Sequence, residues 1–160
     1  MTKTNAMRLL EKAGIAYQTA SYTYEDTEHS GLHAAKAIGM PPEQVFKTLV
    51  VRGDKTGIFV CCIPVDRELD LKKAAILSKN KKVEMTHVKE LLNLTGYIRG
   101  GCSPVGMKKK YPTWIDETAM LYDTIAVSAG LRGQQLILPP ADLVAFLCAH
   151  QGDLTTELHI

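Results

Sequence analysis

The sequence predicts a single mixed α/β domain, and three observations predict it. The chain has 160 residues, 46% hydrophobic and 22% charged, which suits one core burying roughly 70% of the unfolded surface. Twelve Gly and seven Pro are near average, with no linker-like stretch and no internal repeat. Strand and helix patterns alternate without a regular βαβ rhythm, which disfavours a doubly wound sheet. Apolar stretches such as Ile58 to Ile63 fall far below the ~18 residues of a membrane span. Met1 to Asn5 has no apolar run behind it, so no secretory signal is expected.

Asn5 to Ala13 predicts a helix, with Thr4 or Thr2 as cap and Gly14 past its end. Ala16 to Tyr22 predicts a strand, and Thr23 to Glu28 an acidic loop. Ser30 is placed to cap a helix through Ile38, closed by Gly39; Pro41-Pro42 opens a further helical turn. Val45 to Arg52 and Ile58 to Pro64 are β-branched strands around a Gly-Asp-Lys-Thr-Gly turn, an expected antiparallel hairpin. Asp70 caps a helix from Leu71 to Leu77, Lys82 to Met85 is extended, and Thr86 caps a helix to about Leu94. Residues 95–106 are a Gly-rich loop. Pro112 to Asp116, Thr124 to Ser128 and Gln135 to Leu138 read as strands, the last two paired across Ala129 to Gly133. Pro139-Pro140 and Asp142 open a final helix through Ala149, and the polar tail beyond Gln151 is expected to fray.

Net charge is only +2, but residues 72 to 110 carry ten basic and two acidic side chains, a balance of +8 that leaves −6 elsewhere. Such a stretch either presents a basic face to a phosphate backbone or spreads over separate solvated faces; the sequence leaves both open. Four cysteines, Cys61, Cys62, Cys102 and Cys148, form no C-x-x-C pair and no zinc spacing. They read as reduced cysteines of a cytoplasmic protein. The five histidines show no ligand spacing, and no metal or cofactor is expected. Asp66, Asp70 and Asp116 read as caps at element ends.

Four features could carry chemistry. Lys47 interrupts Val45-Phe46-Lys47-Thr48-Leu49-Val50-Val51 and shares a face with Val45, Leu49 and Val51. If that face points inward, a charge is held against the core lining and needs an anion or carbonyl partner; if outward, it is a solvated lysine. Gly100 to Gly106 either cradles a ligand with backbone N–H groups or is a plain turn. Ser128 with Gly130, Arg132 and Gly133 reads as a hairpin turn. Cys102 would be a nucleophile only with a basic neighbour such as His87 or His33.

The ordered set Val45 to Val50, Pro64-Val65, Leu69-Asp70-Leu71-Lys72-Lys73-Ala74 and Lys81 to Met85 resembles one family. Thr95-Gly96-Tyr97-Ile98, Gly100-Gly101, Ser103-Pro104-Val105-Gly106 and Ser128 to Gly133 complete it. It is the YbaK/EbsC family of bacterial Cys-tRNA(Pro) deacylases, akin to the editing domain inserted in prolyl-tRNA synthetases. The resemblance runs from about residue 5 to residue 149. It implies a compact, mostly antiparallel mixed sheet, partly barrel-like and flanked by helices. It implies trans-editing: hydrolysis of mischarged Cys-tRNA(Pro), more loosely Cys-tRNA(Cys), because a pocket cannot strongly reject a near-isostere of proline. Its implied partners are aminoacyl-tRNA and prolyl-tRNA synthetase, with no membrane.

Carried over by position, Lys47 matches the family's essential lysine, and Gly100 and Gly101 the glycine pair of the substrate site. Tyr22 and Ser128 match pocket residues, and Gly130 and Arg132 of the adjoining turn join the substrate-binding set. Gln135 departs from the aspartate of some members, so a role needing negative charge there is lost. The implied chemistry is substrate-assisted, the cysteinyl thiol attacking its own ester. A binding module without turnover and a Cys102-dependent hydrolase are the competing expectations.

Overall fold

The computed structural model describes residues 3–24 and 31–157. The expectations for Thr2 and Ser30 as caps, for residues 25–28, and for His29 and His159 lie outside them. Helix α1 (Asn5–Lys12) starts at Thr4, whose hydroxyl accepts the Met7 N–H at 3.2 Å. Strand β1 (Gln18–Ser21), helix α2 (Gly31–Ile38) and a 3-10 turn (Pro42–Gln44) follow. Strands β2 (Phe46–Gly53) and β3 (Gly57–Pro64) form the expected hairpin, with Lys47 opposite Ile63.

Asp70 caps helix α3 (Leu71–Ser78), accepting the N–H groups of Lys72 and Lys73 at 3.0 and 3.1 Å. After β4 (Val83–Met85) the structure corrects one expectation. Thr86 is not a helix cap; its hydroxyl donates to the Val50 carbonyl at 2.9 Å, tying the segment to β2. A 3-10 turn (Val88–Glu90) then leads into the short helix α4 (Leu91–Thr95). Strands β5 (Thr113–Asp116), β6 (Ile125–Ser128) and β7 (Gln134–Leu138), helix α5 (Pro140–Leu147) and strand β8 (His150–Gly152) complete the order.

Five strands form one sheet in the order β4-β2-β3-β5-β8, and three form another, β1-β7-β6. Pairing is mostly antiparallel, but β5 runs parallel to both β3 and β8. The period-two alternation of β3 feeds two cores. Val60 and Cys62 join Phe46, Ile115 and Leu136, whereas Phe59, Cys61 and Ile63 join Val51, Ala74 and Leu154. The adjacent cysteines are therefore buried on opposite faces, unpaired.

The frayed tail is a second correction. Residues 150–152 pair with β5, Leu154 is fully buried, and its N–H donates to Asp116 Oδ1 at 2.9 Å. Thr155 then bridges Leu69. One leucine with a hole to fill outweighs the polarity of its neighbours. Asp116 also accepts from Thr118 N at 3.2 Å, so it caps a 3-10 turn (Glu117–Leu121) as expected.

The outer edge of β2 belongs to two sheets. At its start Val45 bridges Ala126, just before Ser128; at its end Val51 to Gly53 pair with β4. Among the described residues no strand covers that edge between residues 46 and 50. The sheets wrap partway round this gap and do not close into a barrel. No helix among the described residues is long and apolar enough to cross a membrane.

Candidate active site

A cleft of about 700 Å³ opens at the uncovered edge of β2. Strand register explains what lines it. The Val45–Ala126 bridge is parallel, so two residues further along Lys47 comes beside Ser128. Ser128 pairs with Gln135, which pairs with Ala20 of β1, and the chain runs on to Tyr22. Lys47, Ser128, Gln135 and Tyr22 thus share one polar wall. Asp66, Arg67 and Glu68 follow β3 at the end where Phe46 pairs with Pro64 and line the same cleft. Met85, His87, Val88 and Leu91 line it toward the end where β4 pairs with β2.

Lys47 is half-buried on the face it shares with Leu49 and Val51, at the open end of the apolar cluster. This answers the inward-or-outward question in favour of the cleft. Burial lowers its pKa, while Glu68 and then Asp66 act to raise it. Neither carboxylate forms an ion pair with it; the ion pairs among the described residues lie elsewhere. The ammonium is thus held in the cleft without a neutralising contact.

Burial also raises the Tyr22 phenol pKa, partly offset by hydrogen bonds from Gln135 and the Gly133 backbone. Gln135 is 6% exposed, and its Oε1 has no partner. Asp66 Oδ1 is likewise buried without one, so Asp66 is not the cap expected of it. Each such acceptor costs stability until a donor arrives.

The Gly100–Gly101 loop divides in role. Gly100, at φ +86°, lines the cleft, and a Cβ there would lie 2.8 Å from the Tyr24 hydroxyl. Gly101 does not line it; its N–H donates to Ile98 O at 3.0 Å, and a Cβ would press on the Arg132 backbone N at 3.1 Å. Gly130 and Arg132 also fall outside the lining. Gly130, at φ +99°, gives Tyr97 room, and Arg132 donates through Nε to the Arg99 carbonyl at 2.9 Å while stacking over Tyr24. These three glycine and arginine positions shape the loop that carries Gly100. Of the ten basic residues between 72 and 110, only Arg99 lines the cleft; Lys73 is paired with Asp153 at 2.8 Å.

Cys102 lines the cleft, but burial pushes its thiol up to about 12 and no histidine acts on it. Ser128 Oγ accepts the Gly130 N–H at 3.1 Å and shapes the turn. No three His, Cys, Asp or Glu side chains converge among the described residues. Cys102→Ser is expected to keep turnover within about twofold in a steady-state deacylation assay; a folded variant without activity would make Cys102 the nucleophile.

A family model, the aminoacyl-tRNA editing domain, matches residues 28–146. The chain belongs to this family. It is 46% identical over 155 residues to EbsC of Enterococcus faecalis, provisionally named a Cys-tRNA(Pro)/Cys-tRNA(Cys) deacylase. That match covers 97% of this chain and 94% of EbsC. A solved structure described as a candidate trans-editing enzyme for prolyl-tRNA synthetase superposes with a TM-score of 0.83 at 25% identity, covering 98% and 100% of the two chains. A proline–tRNA ligase of Thermosipho africanus is 27% identical over 99 residues, 62% of this chain and 18% of the ligase. The editing-domain fold thus agrees with the resemblance read from the motifs.

Sequence reasoning passed over the charges at 66–68 and the apolar wall at 85–91. Pro64 closing the hairpin opposite Phe46 was the available signal for the first, since whatever follows it must lie beside Lys47. Nothing local signals the second, which reaches the cleft only through the pairing of β4 with β2.

Proposed function

We propose that this cleft hydrolyses the ester of cysteinyl-tRNA(Pro), and more loosely that of cysteinyl-tRNA(Cys), using the substrate's own thiol. The observation that carries the reading is an unneutralised, half-buried Lys47 ammonium in a cleft whose own cysteine is held as a thiol. The cysteinyl sulfur attacks its ester carbonyl; a C–S bond forms, the C–O bond to the terminal ribose breaks, and the thiol proton leaves with the ribose oxygen. Water then opens the β-thiolactone to free cysteine. Holding sulfur and carbonyl together supplies roughly 7–11 kcal/mol.

Lys47 supplies positive charge where the oxyanion develops. Gly101 already spends its N–H on Ile98, so it serves the loop, and Gly100 lets the chain pass close to the substrate. Tyr22, Ser128 and Gln135 orient the aminoacyl group, the last as an acceptor where the resemblance led to an aspartate. Gly130 and Arg132 contribute through the loop. The whole chain acts as one domain, in the cytoplasm, with prolyl-tRNA synthetase supplying the mischarged tRNA; the likeness to part of a proline–tRNA ligase supports that pairing.

The test is incubation with a panel of aminoacyl-tRNAs. Release of cysteine, with seryl- and alanyl-tRNA left intact, is expected. Saturable, salt-sensitive binding without product would instead make this a binding module.

A further inference from the structure

We propose that the wall of Met85, His87, Val88 and Leu91 seats the terminal nucleobase of the RNA whose ester is cut; this rests on the deacylase reading. The polar wall accounts for the aminoacyl group alone, six heavy atoms beyond the ester oxygen. A cleft of about 700 Å³ is the size that holds a drug-sized ligand, and the ester continues into a ribose and a base. Besides the charged residues 66–68 and Arg99, the surface left for them holds an exposed apolar stretch. Met85 is 44% and Val88 60% exposed, and Leu32, on another rim, is 49% exposed.

The wall is tied down by hydrogen bonds despite its exposure. Glu90 Oε1 accepts from Arg52 Nη2 at 2.9 Å, and Glu90 Oε2 accepts the His87 N–H at 2.9 Å. Thr86 Oγ1 donates to Val50 O at 2.9 Å. Two of these bonds clasp residues 86–90 onto β2, at the uncovered edge that opens the cleft, and the third closes the turn on itself. A backbone already fastened in place adds no loop-ordering cost when its exposed apolar side chains are covered. A flat base with π-faces fits such a surface, with the His87 ring and two aliphatic side chains to stack against. Arg99, which lines the same cleft, supplies a positive charge for the adjoining phosphate.

The test compares two cysteinylated acceptor-stem minihelices, one with an intact terminal adenosine and one whose terminal nucleoside lacks its base. The wild-type chain is expected to show a KM at least tenfold higher on the base-less substrate. Met85→Ser/Val88→Asp is expected to raise KM at least tenfold on the intact substrate, keep kcat within about twofold, and leave the base-less substrate unchanged. Equal KM values in the wild type, or an unaffected variant, would overturn the inference while the deacylase reading stands.

If neither substrate is cleaved, the deacylase reading falls and binding decides the inference. AMP should shift the Met85 and Val88 methyl resonances of the wild type, and their absence would overturn it. Sedimentation showing a wild-type dimer that the variant loses would also overturn it, since a second copy would then cover the wall.

Discussion

Lys47→Ala is expected to lower single-turnover deacylation of Cys-tRNA(Pro) by about a hundred- to a thousandfold, the usual cost of one oxyanion-stabilising group. The melting temperature should stay the same or rise. Both halves come from one feature: the ammonium is half-buried on a strand face otherwise given to apolar packing, and no carboxylate reaches it as an ion pair. Burying an unpaired charge costs folding energy, so the residue is held for something other than stability. Lys47→Arg should recover only part of the rate, because a planar guanidinium does not replace a compact ammonium.

The pH profile gives an independent reading of the same group. Burial lowers the Lys47 pKa, so its charge is lost at a lower pH than that of an ordinary lysine as pH rises. Glu68 opposes that shift. Glu68→Gln removes the larger part of the opposition and leaves that of Asp66, so the alkaline fall in rate should move to lower pH. A folded Lys47→Ala chain that keeps its single-turnover rate would remove Lys47 from the site.

Leu154→Ala is expected to cost about 2–5 kcal/mol, the range for truncating a fully buried leucine, and to lower the melting temperature by about 4–20 °C in a chain of this length. Leu154 packs with Val51, Phe59, Cys61 and Ile63, on the opposite face of the hairpin from Phe46 and Val60. Its N–H is also tied to Asp116. It does not line the cleft, so turnover measured well below the transition should be nearly unchanged. Thermal unfolding followed by circular dichroism checks this. An unaltered transition would mean that the segment after β8 is as loosely held as its polar composition suggests.

The hairpin of β2 and β3 is legible in the sequence because β-branched residues and a Gly-bounded turn say the same thing locally. The caps at Thr4 and Asp70 are legible for the same reason. Lys47 was ambiguous because both faces of β2 are covered, Phe46 on one side and Val51 on the other, so alternation cannot choose between them. The parallel pairings of β5 join segments far apart in the chain, and no local pattern specifies a partner.

The site divides in the same way. The resemblance led to Tyr22, Lys47, Gly100 and Ser128, which line one cleft. It also led to Gly101, Gly130 and Arg132, whose contacts are with the loop and turn behind it. A motif records that residues recur together, not which of them face the ligand. Asp66 read as a cap because it directly follows a strand end; only the hairpin register, which sets Pro64 opposite Phe46, carries it to the side of Lys47.

The sharpest member of the aminoacyl-tRNA panel is S-methylcysteinyl-tRNA(Pro), which keeps the ester, the ammonium and nearly the same shape but has no free thiol. If the bound amino acid supplies the nucleophile, this substrate should bind and compete with Cys-tRNA(Pro) yet release no amino acid in a single-turnover assay. Release at a rate comparable to that of the unmethylated ester would contradict the account, because the attacking atom would then have to come from the protein or from water.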